Sequence, residues 1–311
     1  MIKYLIIQVD DTSVSYCHYP ALTGKPRLIS LDDLRAGILW AMKENVTVQF
    51  VYPSYRLPDE YHRVIESIDH ADIVPAGCED TGLLDKADVI VLDGMSRIAS
   101  HTFRSNAAYV LRTSKEDLLT GRDAVAYLLD RVMRLNVVIT DVETFTDDDT
   151  ERYEKLLGSL AEVVAGQYAA GRNVQFNLLT DRLMLDRMNN CNAGWETIAL
   201  APDGRFYPCP AFYGDADKGY NIGDLHSGPD IKNPQLYRLD HAPICRRCDA
   251  WQCRRCTWLN CRLTLEVNTP GHQQCIMTHV ERNASRRLLP LFPGTEIPEI
   301  GYLDPFDIAK N

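Results

Sequence analysis

The chain has 311 residues, enough for one large core and a smaller module, and its 45% apolar and 24% charged composition is that of an ordinary globular protein. A formal charge of -10 argues against sequence-independent nucleic-acid binding, which needs a basic surface to neutralise phosphates. No apolar run reaches the roughly 18 residues of a membrane span, and the opening MIKYLIIQVDD lacks the apolar core and cleavage site of a signal peptide, so the expectation is a cytoplasmic protein with neither a membrane nor a nucleic acid as partner.

From residue 1 to about 180, short β-branched runs alternate with amphipathic stretches, the signature of parallel βα units. Strands are predicted over 3–9, 46–52, 71–75, 88–93, 107–112, 136–142 and 173–179. Ser30 with Asp33 predicts the N-cap of a first helix whose inward face carries Leu31, Leu34, Ile38, Leu39 and Met42. Pro58 opens a second helix with Tyr61, Val64, Ile65 and Ile68 on its apolar stripe. Ser114 caps a third, with Leu118, Val125, Leu128, Leu129 and Val132 inward, and Thr146 starts a long fourth that ends near Gly171. The acidic run 141–154 reads as the solvated start of that fourth helix, where carboxylates suit the positive end of the dipole.

After about residue 185 the texture changes to short strands, turns and cysteines. WETIALAPDGRFYPC predicts a hairpin turned at Pro-Asp-Gly, and QQCIMTHVERNASRRLL predicts a closing helix ahead of a Pro-rich tail. The reading is thus an α/β chain with a partial (βα) barrel over 1–185, a small Cys-rich α+β module over 186–290 and a tail over 291–311.

Of ten cysteines, Cys17 and Cys78 stand alone and read as small buried apolar residues, while the other eight lie between Cys191 and Cys275. In a reducing compartment, clustered thiols bind metal more often than they pair as disulfides. Cys245-x2-Cys248 and Cys253-x2-Cys256 each have the bite that serves zinc or iron-sulfur chemistry. Two such pairs in a zinc site usually stand roughly 15–20 residues apart, whereas here only DAWQ separates them. That crowding favours neighbouring cysteines serving different metals, as in two-cluster ferredoxins. Cys191, Cys209, Cys245, Cys248, Cys253, Cys256, Cys261 and Cys275 suffice for two four-thiolate [4Fe-4S] clusters, with Zn2+ as the alternative. The interleaved arginines, Arg246, Arg247, Arg254, Arg255 and Arg262, either compensate the anionic clusters or are simply solvated.

The order Cys191-x12-Gly204-x4-Cys209, a gap, Cys245-x2-Cys248-x4-Cys253-x2-Cys256, a gap and Cys275 resembles the SPASM domain of radical S-adenosylmethionine (radical SAM) peptide-modifying enzymes. That domain usually reads C-x9-15-G-x4-C, gap, C-x2-C-x5-C-x3-C, gap, C, so two spacings here are each one residue short. The resemblance implies that Cys245, Cys248, Cys253 and Cys275 hold one auxiliary cluster and Cys191, Cys209 and Cys256 the other. Sulfatase-maturing relatives take the fourth ligand of that second cluster from a cysteine just before the one matching Cys191, and LMLDRMNN contains none. Cys261 is the candidate replacement; otherwise one iron is open and available to a substrate thiolate.

Residues 1–180 resemble a radical SAM barrel that has lost its catalytic motif. In the loop after the first strand, DDTSVSYCHYP aligns Cys17 with the last cysteine of C-x3-C-x2-C, but the two earlier positions are Asp10 and Val14. VQFVYPSYRLP, in the place of the glycine-rich GGEP, has no glycine. The chain as a whole most resembles the CXXX repeat peptide maturase family, on CRRCDAWQCRRCTWLN, TPGHQQC and HVERN. What this implies is a component of a ribosomally synthesised peptide maturation system, with a Cys-repeat precursor peptide and a companion radical SAM enzyme as partners and with no cleavage of S-adenosylmethionine of its own. The alternative is a non-catalytic scaffold whose zinc or iron-sulfur sites only hold the fold. His272 and His279 are candidate donors to a cluster, with capping or surface roles as the plainer reading, and His18 beside Cys17 is expected at the surface or in a residual pocket.

Overall fold

The computed structural model describes residues 2–22, 26–185, 190–215, 218–253 and 255–292. In chain order, β1 (Tyr4–Gln8) leads to α1 (Leu31–Glu44), β2 (Thr47–Val51), α2 (Asp59–Ile65), β3 (His70–Pro75), α3 (Thr81–Lys86) and β4 (Val89–Asp93). Then come β5 (Ala108–Thr113), α4 (Lys115–Thr120), α5 (Arg122–Arg131), β6 (Arg134–Ile139), α6 (Asp147–Ala169) and β7 (Gln175–Phe176). The C-terminal third holds β8 (Thr197–Leu200), β9 (Phe206–Tyr207), α7 (Pro210–Tyr213), the short pair β10 (Gly223–Asp224) and β11 (Gly228–Pro229), α8 (Thr257–Thr264) and α9 (His272–Ser285). No helix among the described residues is long and apolar enough to cross a membrane.

The caps sit where the polar residues place them. The Ser30 hydroxyl accepts from Asp33 N–H at the start of α1, and Thr146 with Asp149 closes a reciprocal capping box on α6. Three elements depart from the sequence reading. Leu39 and Met42 are 64% and 62% exposed, and α1 turns Leu34, Gly37, Ile38 and Ala41 inward instead. The physical reason is close approach: a Cβ on Gly37 would lie 2.4 Å from Leu200 Cδ2, so the small residues make the contact face. The Ser114 helix breaks at Gly121 into α4 and α5, and the strand expected over 173–179 is reduced to the two residues of β7.

By internal contacts the chain forms two compact units, Met1–Val91 with Asn192–Arg238, and Leu92–Cys191 with Leu239–Asn311. In the first, β4, β3, β2, β1 and β8 are successive parallel neighbours, and β9 closes on β8 antiparallel with Ala199 opposite Tyr207. The β8–β9 hairpin turns at Gly204, φ 77°, in the left-handed region that glycine adopts without a Cβ clash. In the second, β5, β6 and β7 run parallel, with Ala108 opposite Arg134 and Arg134 opposite Gln175. There α6 packs on α5 and α9, and Tyr153, Leu157, Leu160 and Val164 are fully buried. The alternation of strand and helix expected for parallel βα units is what the chain builds.

Candidate metal centre

In the second unit, one face of α9 meets the loop of crowded cysteines. The loop turns tightly: Cys248 N–H bonds the Cys245 carbonyl at 3.0 Å, and Gln252 takes a left-handed φ of 57°. Such a conformation costs a non-glycine residue of order 1 kcal/mol, so it persists only where neighbours hold it. Gln252 Nε2 donates to Asp181 Oδ2 at 3.3 Å, and Asp181 is itself forked by Arg134 at 2.6 and 2.7 Å. Asp249, next to Cys248, is paired with Arg282 of α9.

Cys248 Sγ lies 3.4 Å from His279 Nε2, and the Cys253 thiol faces Thr278 Oγ1 at 3.9 Å. Thr278 and His279 are three and four residues beyond Cys275, so all three share one face of α9. By that spacing Cys275 belongs to the helix face whose Thr278 and His279 meet the loop at Cys253 and Cys248. His279 is 3% exposed, which removes the surface role, whereas His272 at the first turn of α9 is exposed.

Burial pushes these thiols up, Cys245 to about 11 and Cys248 to about 12, with each further raised by the charge of Cys253. Cys253 is raised as well, by burial first. Arg255 opposes it. Its guanidinium, 1% exposed and donating to the Val267 carbonyl at 3.2 Å, lowers both Cys245 and Cys253. Of the other arginines in the run, Arg246 and Arg262 are exposed, and Arg262 lies over the Trp258 ring at 4.9 Å. Arg254 and the Arg247 side chain fall outside the described residues. Compensation by buried charge therefore belongs to Arg255, and solvation to Arg246 and Arg262.

The donor set, three soft thiols and a fourth on the facing helix with a buried cation beside them, fits an anionic thiolate cluster. Among the described residues no group of three or more His, Cys, Asp or Glu side chains is gathered to hold a single metal ion. In a four-iron cluster each thiolate takes its own iron. The other four cysteines are distributed differently. Cys209 belongs to the first unit, at the N-cap of α7, while Cys191, Cys256 and Cys261 belong to the second. Cys256 is buried at the N-cap of α8, and Cys261, five residues on, is turned roughly 140° around the axis and pushed up to about 11 by burial and Glu266.

At the degenerate loop after β1, the position aligned with the first missing cysteine is a fully buried Asp10 whose carboxylate accepts from the Thr12 N–H at 2.7 Å and the Thr12 hydroxyl at 2.5 Å. The Ser13 hydroxyl accepts from Asp10 N–H and donates to the Val51 carbonyl at 2.7 Å. Val14 is buried and Cys17 half-buried rather than fully inside, so one thiol stands where three are needed. His18 is 8% exposed, against the expectation of a surface residue, and Cys78 is buried as expected. Within the same unit, residues that no sequence pattern singled out line a cavity of about 680 Å³, among them Tyr52, His62, His70, Asp72 and Asp80. The Tyr52 hydroxyl donates to Asp72 at 2.7 Å, and a hydrogen bond to Asp72 with one to the Ile68 carbonyl raises the His70 pKa.

No protein-family model and no curated protein matches the sequence. Solved structures do match by shape. Hexahistidine-tagged anSMEcpe with bound AdoMet, an anaerobic sulfatase-maturating enzyme of the radical SAM/SPASM family, superposes with a TM-score of 0.65 at 12% identity, over 99% of this chain and 98% of that one. The chain shares the fold of that enzyme. Native anSMEcpe with bound AdoMet and Cp18Cys peptide gives 0.63 at 12% identity over 94% and 99% of the two chains, and the Kp18Cys peptide complex gives 0.64 at 11% over 93% and 99%.

Proposed function

We propose that this protein is a component of a ribosomally synthesised peptide maturation system, related to the CXXX repeat peptide maturases, that binds a Cys-repeat precursor peptide and carries two [4Fe-4S] clusters in a SPASM-like region over 186–290. The observation that carries the reading is the α9 face, where Thr278 and His279 contact Cys253 and Cys248, and helical spacing puts Cys275 on that same face. Cys245, Cys248, Cys253 and Cys275 would hold one cluster, and Cys191, Cys209 and Cys256 the other, whose fourth position is either closed by Cys261 or left as an open iron. Neighbours of the same fold were solved with AdoMet and with peptides named for a cysteine, which supports a peptide substrate here.

Bound there, the clusters would supply one-electron transfer, and an iron left open would supply a coordination site for a thiolate. This chain's own residues would bury the thiolates, offset their charge through Arg255 and hold the loop through Asp181 and Asp249. The loop after β1 offers Asp10, Val14 and Cys17 in place of three cysteines, so S-adenosylmethionine cleavage falls to a companion radical SAM enzyme in the cytoplasm. Anaerobic purification followed by iron and sulfide analysis tests the reading. About eight irons per chain are expected, with loss of about four on Cys248→Ser and none on Cys78→Ser. Protein that holds zinc, or no iron after reconstitution, overturns it.

A further inference from the structure

We infer that His279 is a positioning residue of the Cys245–Cys275 site, donating its Nε2–H to the Cys248 sulfur so that one corner of the thiolate set receives two converging N–H donors. This inference rests on the iron-sulfur reading proposed above. The second donor is Ala250 N–H, 3.4 Å from Cys248 Sγ, equal to the distance from His279 Nε2.

The neighbouring side chains of α9 show how selective this contact is. The Thr278 hydroxyl donates to the Gln274 carbonyl, Glu281 accepts from Tyr153 and Arg182, Arg282 pairs with Asp249, and the Ser285 hydroxyl donates to the Glu281 carbonyl. Each finds an oxygen, as buried polar groups do. His279 directs a ring nitrogen at the Cys248 sulfur, while Thr278 Oγ1 also meets the Cys253 sulfur at 3.9 Å. A neutral thiol is a weak acceptor and a poor partner for a buried imidazole, whereas a thiolate accepts a charge-assisted bond of about twice the strength. Metal ligation is what turns the thiol into a thiolate at neutral pH, since binding releases its proton.

Cys248 thus takes its two donors from His279 and Ala250. Hydrogen bonds to cluster sulfurs withdraw charge and favour the reduced state, which carries one more electron. Loss of the His279 donor then lowers the reduction potential of this cluster while leaving its ligands in place.

The test uses anaerobically reconstituted full-length protein as wild type, His279→Leu and His279→Gln, with iron and sulfide counted first and reduction midpoints then titrated by electron paramagnetic resonance. The expected result is equal iron in all three, one of the two reduction steps shifted to lower potential in His279→Leu, and that step restored toward wild type in His279→Gln, whose amide keeps a donor. Equal potentials at equal iron overturn the inference and leave the iron-sulfur reading standing. Iron lost from both variants also overturns it, because His279 would then be a ligand or a packing residue. Wild type without iron removes the proposed function itself.

Discussion

Replacing Glu281 by Ala perturbs the ion pair that fixes the α9 face. Glu281 is fully buried and Arg182 is 2% exposed, joined at 3.0 Å, and the Tyr153 hydroxyl from α6 donates to the other carboxylate oxygen at 2.8 Å. Truncation leaves a buried guanidinium without its carboxylate, a change that typically costs about 3–5 kcal/mol. The Tyr153 hydroxyl loses its acceptor as well, worth about 1–3 kcal/mol in isolation. Because both losses describe one site they overlap, and the expectation is about 3–5 kcal/mol in total. Urea unfolding of the metal-free protein, followed anaerobically by circular dichroism, reads the change as a lower midpoint at unchanged slope. The same argument makes the double variant Arg182→Met with Glu281→Leu recover most of the loss, since a buried pair exchanged for apolar groups is close to neutral. A single variant within about 1 kcal/mol of wild type, or a double variant no better than the single, refutes the reasoning that this pair, and not packing alone, sets α9.

Three further outcomes follow from particular groups. Gly204→Ala is expected to destabilise by about 1 kcal/mol, because φ is 77° and the new Cβ would lie 3.4 Å from the Asp33 carboxyl; thermal unfolding reads it. Lys115, hydrogen-bonded at 2.6 Å, holds the Asp149 carboxyl down to about 2, with the Thr146 amide and hydroxyl assisting. The folded pKa is depressed, so this stabilisation is present above the unfolded value near 4 and is lost as pH falls through about 2; Lys115→Met is expected to lose about 1–2 kcal/mol at neutral pH and to show a flatter acid limb in a pH titration of stability. In the metal-free protein the sign reverses for the thiols: Cys245 and Cys248, raised to about 11 and 12, stabilise fully below the unfolded value near 9, and that stability is lost as pH rises through the folded values. Alkaline unfolding that begins above about pH 9 and recedes in Cys245→Ser checks this, and an unchanged alkaline limb in that variant refutes it.

Local chemistry was readable because it is decided within a few residues. Ser30 and Thr146 could be placed as caps from their own sequence neighbours, and Pro-Asp-Gly located the β8–β9 turn at Gly204. The inward face of α1 could not be read in that way. Leu39 and Met42 fit the apolar period as well as Ile38 does, and the choice was made by Leu200, a residue more than 150 positions away whose approach only Gly37 permits. The break at Gly121 was hidden for the opposite reason, since Leu118 and Val125 keep the helical stripe in phase across it.

The cysteine site divides along the same line. Spacing put Cys275 and His279 on one helical face, but whether that face met solvent or the loop at Cys248 depended on contacts that α9 makes elsewhere. Those contacts are the buried pairs Arg182–Glu281 and Asp249–Arg282, whose members look in sequence like ordinary surface charges. They explain why a helix that carries Glu281 and Arg282 inward can lie buried at all: each of these two charges meets one fixed on another element of the same unit. Asp249 makes the link to the site direct, because it sits between Cys248 and the rest of the loop and is held by the helix that carries Cys275. The ion pairs thus fix α9 against the loop that carries Cys248, and a variant that weakens them is expected to loosen the His279–Cys248 contact along with the fold.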